Sequence, residues 1–239
     1  MNQSSEFYTL RSIAHIRSDF PEKFGIPRQP GLVPGLTAEI VLDPPFNDPD
    51  ALRRITEFSH IWLIWGFSRN ALDMTEEPFS FSPLITPPRL GGKEKVGVFA
   101  SRSPYRPNSL GLSSVRLLGV SGTTLLVEGA DLADGTPIYD IKPYVPYSDA
   151  HPDAAGGFAV PEAKTLRVSF PPELLERVPD EKKAPLLSLL AQDPRGAYEK
   201  QPGYVYGLAF AGMDIRFTVA DDLLTVFDVV PADPSKHVK

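Results

Sequence analysis

The sequence predicts a mainly β protein, with an N-terminal β-barrel-like domain over residues 1–158 and a small α+β domain over 159–239. Three observations point there. Short apolar runs of alternating polarity recur along the chain, bounded by Pro and Gly, which supply 26 and 18 of the 239 residues. The first 150 residues hold a single stretch with helix signals. After Tyr147 the composition shifts to Ser148-Asp-Ala-His-Pro-Asp-Ala-Ala-Gly-Gly157, a polar, small-residue segment that reads as a linker.

In chain order, the first domain's strand candidates are Tyr8–Ile16, Ala38–Leu42, Ile61–Phe67, Val96–Phe99, Ser114–Val120 and Thr124–Glu128. The helix candidate is Ala51–Phe58, with Asn47 or Asp48 as its cap and Pro49 in its first turn. One helix among many short strands suggests a barrel or sandwich, not repeated βαβ units. The second domain opens with a strand at Thr165–Phe170, a short helix at Pro171-Pro172 and a longer helix over Asp180–Gln192. Leu186, Leu187, Leu189 and Leu190 give that helix its apolar face. Tyr204–Phe210, Met213–Val219 and Leu223–Val230 then alternate around the turns Ala211-Gly212 and Asp221-Asp222, as a three-stranded meander does.

Composition excludes several chemistries. With no cysteine there is no thiol nucleophile, zinc ribbon, iron–sulfur cluster or disulfide, and a reducing cytoplasm fits. Four histidines without HxH or HExxH spacing predict no metal site, and His60 reads as a hydrogen-bonded core residue. No run approaches the ~20 apolar residues of a membrane span, and no signal peptide opens the chain, so a soluble protein without membrane association is expected. Neither a dinucleotide fingerprint nor a P-loop nor a GxSxG elbow is present. The net charge of −6 is unevenly spread: residues 1–116 carry +1 and residues 117–239 carry −7. Within the first part Arg89, Lys93, Lys95, Arg102 and Arg106 face only Glu94, a basic stretch that also reads as a solvated loop.

Three segments are denser in polar and rigidifying residues than folding requires: Phe24–Gly31, Phe99–Leu112 and Asp134–Tyr147. Each sets Arg, Gln, Asn or Asp beside prolines that fix φ, so their side chains are held at low entropic cost. Rigid loops on a β scaffold are a common way to build a site. Plainer readings stand beside this one: Arg28, Arg102 and Arg106 as surface ion-pair donors, Asp134-Gly135 as a hairpin turn, Asp140 as a strand-end carboxylate.

The motifs PRQPGL at 27–32, PPRLGG at 87–92, VFASRSPYRPN at 98–108, DGTPIYDIKPY at 134–144 and LAQDPRGAY at 190–198, in that order over nearly the whole chain, resemble the TrmO (TsaA or YaeB) family. These are S-adenosylmethionine-dependent tRNA methyltransferases built on a β-barrel. The resemblance implies a homodimer that methylates the exocyclic amine of N6-threonylcarbamoyladenosine at position 37, in the anticodon loop of tRNA. By motif, the cofactor contacts it implies are Pro27, Arg28, Gln29, Ser68, Arg69, Arg102, Leu112, Asp134, Gly135, Thr136 and Pro137. Many members carry His where this chain has Ser68, and that departure keeps a second reading open: a cofactor-sensing or RNA-binding module without turnover. A methyltransferase acting on a small molecule is disfavoured by the basic loop and the tail domain.

The chemistry suits those residue types. An Arg grips the cofactor's carboxylate, Asp134 accepts from the ribose diol, and Gln29 or backbone meets the adenine edge. An adenine amine is a poor nucleophile, so a proton acceptor or lone-pair-orienting group is needed near it, and Asp140 or Lys142 with Tyr144 is the expected source. That assignment leans on the likeness of the Pro-Tyr pair to adenine-amine methylases of another fold, and an Asp140–Lys142 pair at a strand end is its alternative. Arg89, Lys93, Lys95 and Arg106 are expected at RNA phosphates, Tyr105 or Tyr144 against an unpaired base, and Asn108 on the substrate side. Asp193, Arg195 and Tyr198 are expected at the tRNA or its modified base, or else mark a helix stop at Pro194. The acidic second half would suit pairing between protomers across the basic loops.

Overall fold

The strand nearest the N-terminus, β1 (Ala14–Arg17), buries Ala14 and Ile16 and turns His15 and Arg17 outward, which is the period-2 pattern its sequence carries. The computed structural model describes residues 9–67, 81–87, 94–159, 165–195 and 203–233. Five further long strands join β1: β2 (Thr37–Leu42), β3 (His60–Gly66), β6 (Leu110–Ser121), β7 (Thr124–Glu128) and β8 (Pro137–Pro143). They close a six-stranded antiparallel barrel in the order β1-β2-β7-β6-β3-β8. Its interior is apolar, filled by Ile16, Ile40, Ile61, Leu63, Leu125, Val127 and Ile138. Two short strands, β4 (Leu84–Ile85) and β5 (Val96–Gly97), pair beside it.

A second sheet, in the order β10-β11-β12-β9, follows the linker: β9 (Arg167–Ser169), β10 (Tyr206–Phe210), β11 (Met213–Ala220) and β12 (Leu223–Pro231). The last three form the expected meander, and β9 lies parallel to β12. A short helix, α1 (Pro146–Asp149), follows β8; between β9 and β10, α2 (Pro172–Leu175) and α3 (Asp180–Ala191) cover this sheet, α3 burying Leu186, Leu189 and Leu190.

The structure departs from the sequence expectations in several places, among them a first strand confined to Ala14–Arg17 and a strand at Val96–Gly97 that gives way to a 3-10 turn. The helix expected at 51–58 is two 3-10 turns, Pro49–Leu52 and Ile55–Glu57, separated by Arg54 at φ 70°. Local ion pairs, Arg53 with Asp50 at 2.6 Å and Arg54 with Glu57 at 2.7 Å, hold each turn, and eight residues are too few to nucleate a helix on propensity alone. The segment read as a polar loop at 134–147 contains β8, whose prolines stand at its two ends. His60 bonds Ser59 Oγ at 2.9 Å but is half-exposed on the barrel's outer face, because its neighbour Ile61 takes the inward position.

The second core also draws on the first half of the chain. Phe20, Val33 and Leu36, from the segment between β1 and β2, are buried with Leu208, Phe210 and Phe217 of the second sheet, and the rings of Phe20 and Phe210 lie 5.5 Å apart. Gly25 takes φ 83° there, and a Cβ on it would fall 2.1 Å from Leu208 Cδ1. Asp19 O accepts the Ala211 N–H at 2.9 Å, Asp19 also pairs with Lys182, and Gln192 donates to Leu32 O. Substituting Phe20→Ala is therefore expected to cost about 3–5 kcal/mol of unfolding free energy. Denaturant unfolding monitored at the second sheet checks it, and a loss under ~1 kcal/mol contradicts this packing.

Candidate active site

A cavity of about 800 Å³ lies beside one end of the barrel, where β3 ends and β6 and β8 begin. Three chain segments wall it. Pro27, Arg28 and Gln29 come from the segment anchored on the second core; Ser101, Arg102, Arg106 and Asn108 lead into β6; and Asp131 to Ala133 with Thr136 lead into β8. Hydrogen bonds tie the first two segments together. Arg102 Nη1 donates to Gln29 Oε1, and Gln29 Nε2 donates to Arg28 O at 2.6 Å. Arg106 is held by donation to Ser101 O at 2.9 Å, with its guanidinium 6.0 Å from the Phe99 ring centre.

The wall between these segments is aromatic. Strand β3 alternates strictly, so Trp62 stands on its outer face and Trp65 on its inner one, and both reach the cavity; the register shift between Ile64 and Trp65 leaves Tyr139 of β8 as the extra residue. The Trp65 indole lies over Gly111, where a Cβ would fall 2.3 Å from its ring, so only glycine admits that ring position. Phe67 meets Trp65 edge-on at 4.4 Å. Trp62 is fixed from outside: its Nε1 donates to Asp149 Oδ2 at 2.9 Å, the same oxygen that receives the Val145 N–H, and the Tyr144 ring sits 5.5 Å away. The Val145 amide and then the Trp62 indole hold the Asp149 carboxyl below the usual carboxylate range.

Among the described residues the walls carry four cations, Lys23, Arg28, Arg102 and Arg106, and one carboxylate, Asp131. Trp65 Nε1 donates to Ser113 Oγ at 3.0 Å, and Ser113 Oγ donates to Asp131 Oδ1 at 2.6 Å. Burial pushes the Asp131 carboxyl above its ordinary range, while the Ser113 bond and the Arg102 charge act the other way. Among the described residues no group of three His, Asp or Glu is placed to hold a metal ion.

The tRNA-methyltransferase O N-terminal domain model matches residues 15–150, and the TrmO C-terminal domain model matches 163–232. The chain belongs to the TrmO family. It is 40% identical to the tRNA (adenine(37)-N6)-methyltransferase of Escherichia coli over 238 residues, covering 94% of this chain and 98% of that one. With the enzyme of the same description from Eikenella corrodens it shares 40% over 180 residues, 74% of this chain and 99% of that one. A crystal structure of TrmO from Pseudomonas aeruginosa superimposes with a TM-score of 0.78 at 34% identity, covering 97% of this chain and 100% of that one.

Of the cofactor contacts expected from TrmO motifs, Pro27, Arg28, Gln29, Arg102, Leu112 and Thr136 line the one cavity. Asp134, Gly135 and Pro137 are not among its walls. Asp134 Oδ1 accepts the Ser18 N–H at 3.0 Å and Gly135 takes φ 73°, so this pair shapes the turn under the cavity floor. Ser68 and Arg69 lie outside the described residues, as do Arg89, Lys93 and Tyr198. Asp140 and Lys142 pair with each other at 2.8 Å on β8, with side chains 43% and 59% exposed, and neither lines the cavity. Lys142 does stand opposite Trp62 in register, and Tyr144 packs on that same ring. Asn108 and Arg106 are walls, whereas Tyr105 and Lys95 are exposed outside them. Asp193 and Arg195 face inward: Arg195 Nε donates to Asp193 Oδ1 at 2.7 Å, its guanidinium carbon lies 5.9 Å from the Tyr206 ring centre, and Arg195 O accepts from Arg28 Nη2 at 3.4 Å.

Lys23, Phe99, the two tryptophans and Asp131 line the cavity without having been singled out from sequence. For Asp131 a signal existed: a carboxylate between Ala130 and Leu132, in an apolar stretch just ahead of the Asp134-Gly135 turn. The walls fit S-adenosylmethionine. Guanidinium groups suit its carboxylate, aromatic faces its sulfonium and adenine, and the volume exceeds what the cofactor alone would fill.

Because burial raises the Asp131 carboxyl, the folded state keeps this proton over a pH range in which the unfolded chain has released it. The group's contribution to stability is present below the unfolded value and is lost as pH rises through the folded one. Asp131→Asn removes the buried charge, so its thermal midpoint is expected to exceed wild type at pH ~7 and to exceed it less at pH ~4. Melting curves at the two pH values check this; a gain as large at the lower pH contradicts it.

Proposed function

We propose that the cavity binds S-adenosylmethionine, receives the base at position 37 of a tRNA, and delivers the methyl group to the N6 nitrogen of N6-threonylcarbamoyladenosine. As a TrmO-family chain the protein is an S-adenosylmethionine-dependent tRNA (adenine-N6) methyltransferase acting at adenosine 37. The observation that carries the site assignment is the convergence of three motif-bearing segments, distant in sequence, on one cavity rich in cations and aromatic rings.

When bound, the cofactor supplies an electrophilic methyl group on a sulfonium. The chain's part is to bind and to aim. Arg28, Arg102 and Gln29 hold the polar end, Pro27, Leu112 and Thr136 shape the walls, the Asp134-Gly135-Thr136-Pro137 turn sets the floor, and Ser68 and Arg69 are further cofactor contacts by motif. Trp62 presents a fixed aromatic face on which Tyr144 leans, and the Asp140–Lys142 pair beside it orients the incoming base. Holding methyl donor and acceptor nitrogen in line supplies most of the rate a protein can give such a transfer. Arg89, Lys93, Lys95 and Arg106 take the RNA phosphates, with Tyr105 and Asn108 at the mouth. The inward Asp193–Arg195 pair supports the Pro27–Gln29 segment, and Tyr198 follows it in the same motif. The working form is a cytoplasmic homodimer whose acidic second halves face basic loops, each protomer divided at about residue 158 with the segment between β1 and β2 leaning across.

The test is labelled methyl transfer to two tRNA pools, one carrying threonylcarbamoylated adenosine 37 and one from cells lacking that modification. Label in the first pool alone is expected. Equal label in both removes the threonylcarbamoyl requirement, and label in neither, with the cofactor still bound in a titration, turns the reading to a sensing module. If four side chains engage loop phosphates, tRNA affinity falls about 50-fold between ~50 and ~200 mM salt; a flat response removes the basic loop from the interface. Asp140→Asn and Lys142→Met are each expected to slow transfer about tenfold or more, and near wild-type rates remove that pair from the site.

A further inference from the structure

We propose that Asp131 is the proton acceptor of the methyl transfer, the carboxylate that takes up the N–H proton of the acceptor base. This rests on the reading of the cavity as the methyltransferase site. Among the described walls no other side chain can accept a proton at neutral pH. Lys23, Arg28, Arg102 and Arg106 are cations, and the hydroxyls of Ser101 and Thr136 already donate to Val98 O at 2.8 Å and Ala133 O at 2.7 Å.

The carboxylate is oriented from behind. An indole N–H can only donate, so Trp65 occupies a lone pair of Ser113 Oγ and the single hydroxyl proton must go to Asp131 Oδ1. Ser113 is fully buried and Trp65 nearly so, which keeps water from replacing either donor. The backbone N–H of Asp131 also supports its anion, and the residue lines the cavity in which the acceptor would lie. Asp140, by contrast, is neutralised by Lys142 in solvent and stands one strand away from the wall.

Proton balance requires such a group. The carboxylate takes the N–H proton while the nitrogen–methyl bond forms and the sulfur–methyl bond breaks, the sulfonium charge being lost as the neutral thioether leaves. The proton then passes to solvent through the cavity mouth, restoring the anion. Burial raises the proton affinity of Asp131, and the Ser113 hydroxyl and Arg102 charge keep its anion populated, the compromise a general base needs. The other charged walls, Lys23, Arg28 and Arg106, line the same cavity, and of the four cations it is Arg102 whose charge acts on Asp131.

Asp131→Asn keeps the shape and the bond from Ser113. Its S-adenosylmethionine affinity by calorimetry is expected within about threefold of wild type, and its single-turnover transfer to tRNA about 10²–10⁴-fold slower, without the acid limb of the wild-type pH profile. Transfer within about threefold of wild type, or a binding loss as large as the transfer loss, overturns the proposal. Ser113→Ala keeps the carboxylate but removes a donor that lowers its pKa, so the acid limb is expected at higher pH with cofactor affinity retained. A limb that does not move overturns the proposal, and this variant decides should Asp131→Asn fail to fold. Wild-type protein that neither binds S-adenosylmethionine nor labels tRNA brings down the cavity reading itself, a separate outcome.

Discussion

Pairing of β8 with β1 on one side and β3 on the other closes the barrel, and the site depends on that closure. The β1 ladder is short, Ala14 with Ile138 and His15 with Pro137, but it is extended by Ile16 N–H to Thr136 O at 3.1 Å and Gly135 N–H to Ile16 O at 2.9 Å. Those last two bonds pin the chain just ahead of β8, the stretch that brings Asp131 and Thr136 to the cavity. On the other side, the odd spacing of Trp62 and Trp65 lets one regular strand offer a tryptophan to each face. An open sheet would leave β8 and its approach as an unpaired edge, and the floor of the cavity would have no fixed height.

The cavity's charge is as constrained as its shape. Four cations around one half-buried carboxylate would be costly if each relied on water; instead Arg102 is tied to Gln29, Arg106 to Ser101 O, and Asp131 to Ser113. A carboxylate kept in an apolar, aromatic wall costs the fold stability at neutral pH, which is the kind of cost active sites carry. It is held by Ser113, which Trp65 fixes in turn from the barrel core.

Most of the architecture was legible because it rests on period-2 patterns: β2, β3, β7, β11 and β12 fall within a residue or two of their expected bounds. Where local patterns misled, tertiary pairing had decided. Pro137, Asp140, Lys142 and Pro143 make β8 read as a loop, yet its prolines sit at the ends of the ladder and its charged pair faces solvent. Strand β6 begins at Leu110 rather than Ser114, because Gly111 can lie under the Trp65 ring, a contact that no local signal announces. The arginines and Gln29 of the site were visible as motifs, and Lys23 was not. Asp131 was not, since its role follows from burial and from Ser113 and Trp65, which reach it only through the barrel.

The second core is built from both ends of the chain. Phe20, Val33 and Leu36 belong by sequence to the barrel half but are buried among the strands of the second sheet, and Gly25 is fitted against Leu208. The Pro27–Gln29 wall of the cavity lies between those anchors, with Arg28 reaching Arg195 O and Gln192 reaching Leu32 O. A loop of this length would otherwise sample many conformations, each losing the entropy again when a ligand orders it. By absorbing the loop's apolar residues into its own core, the second sheet meets that ordering cost during folding, so Gln29 and Arg102 can be in register before any ligand arrives. The second sheet therefore sets the position of one cavity wall, and where a transfer depends on alignment a displacement of about 1 Å is enough to matter.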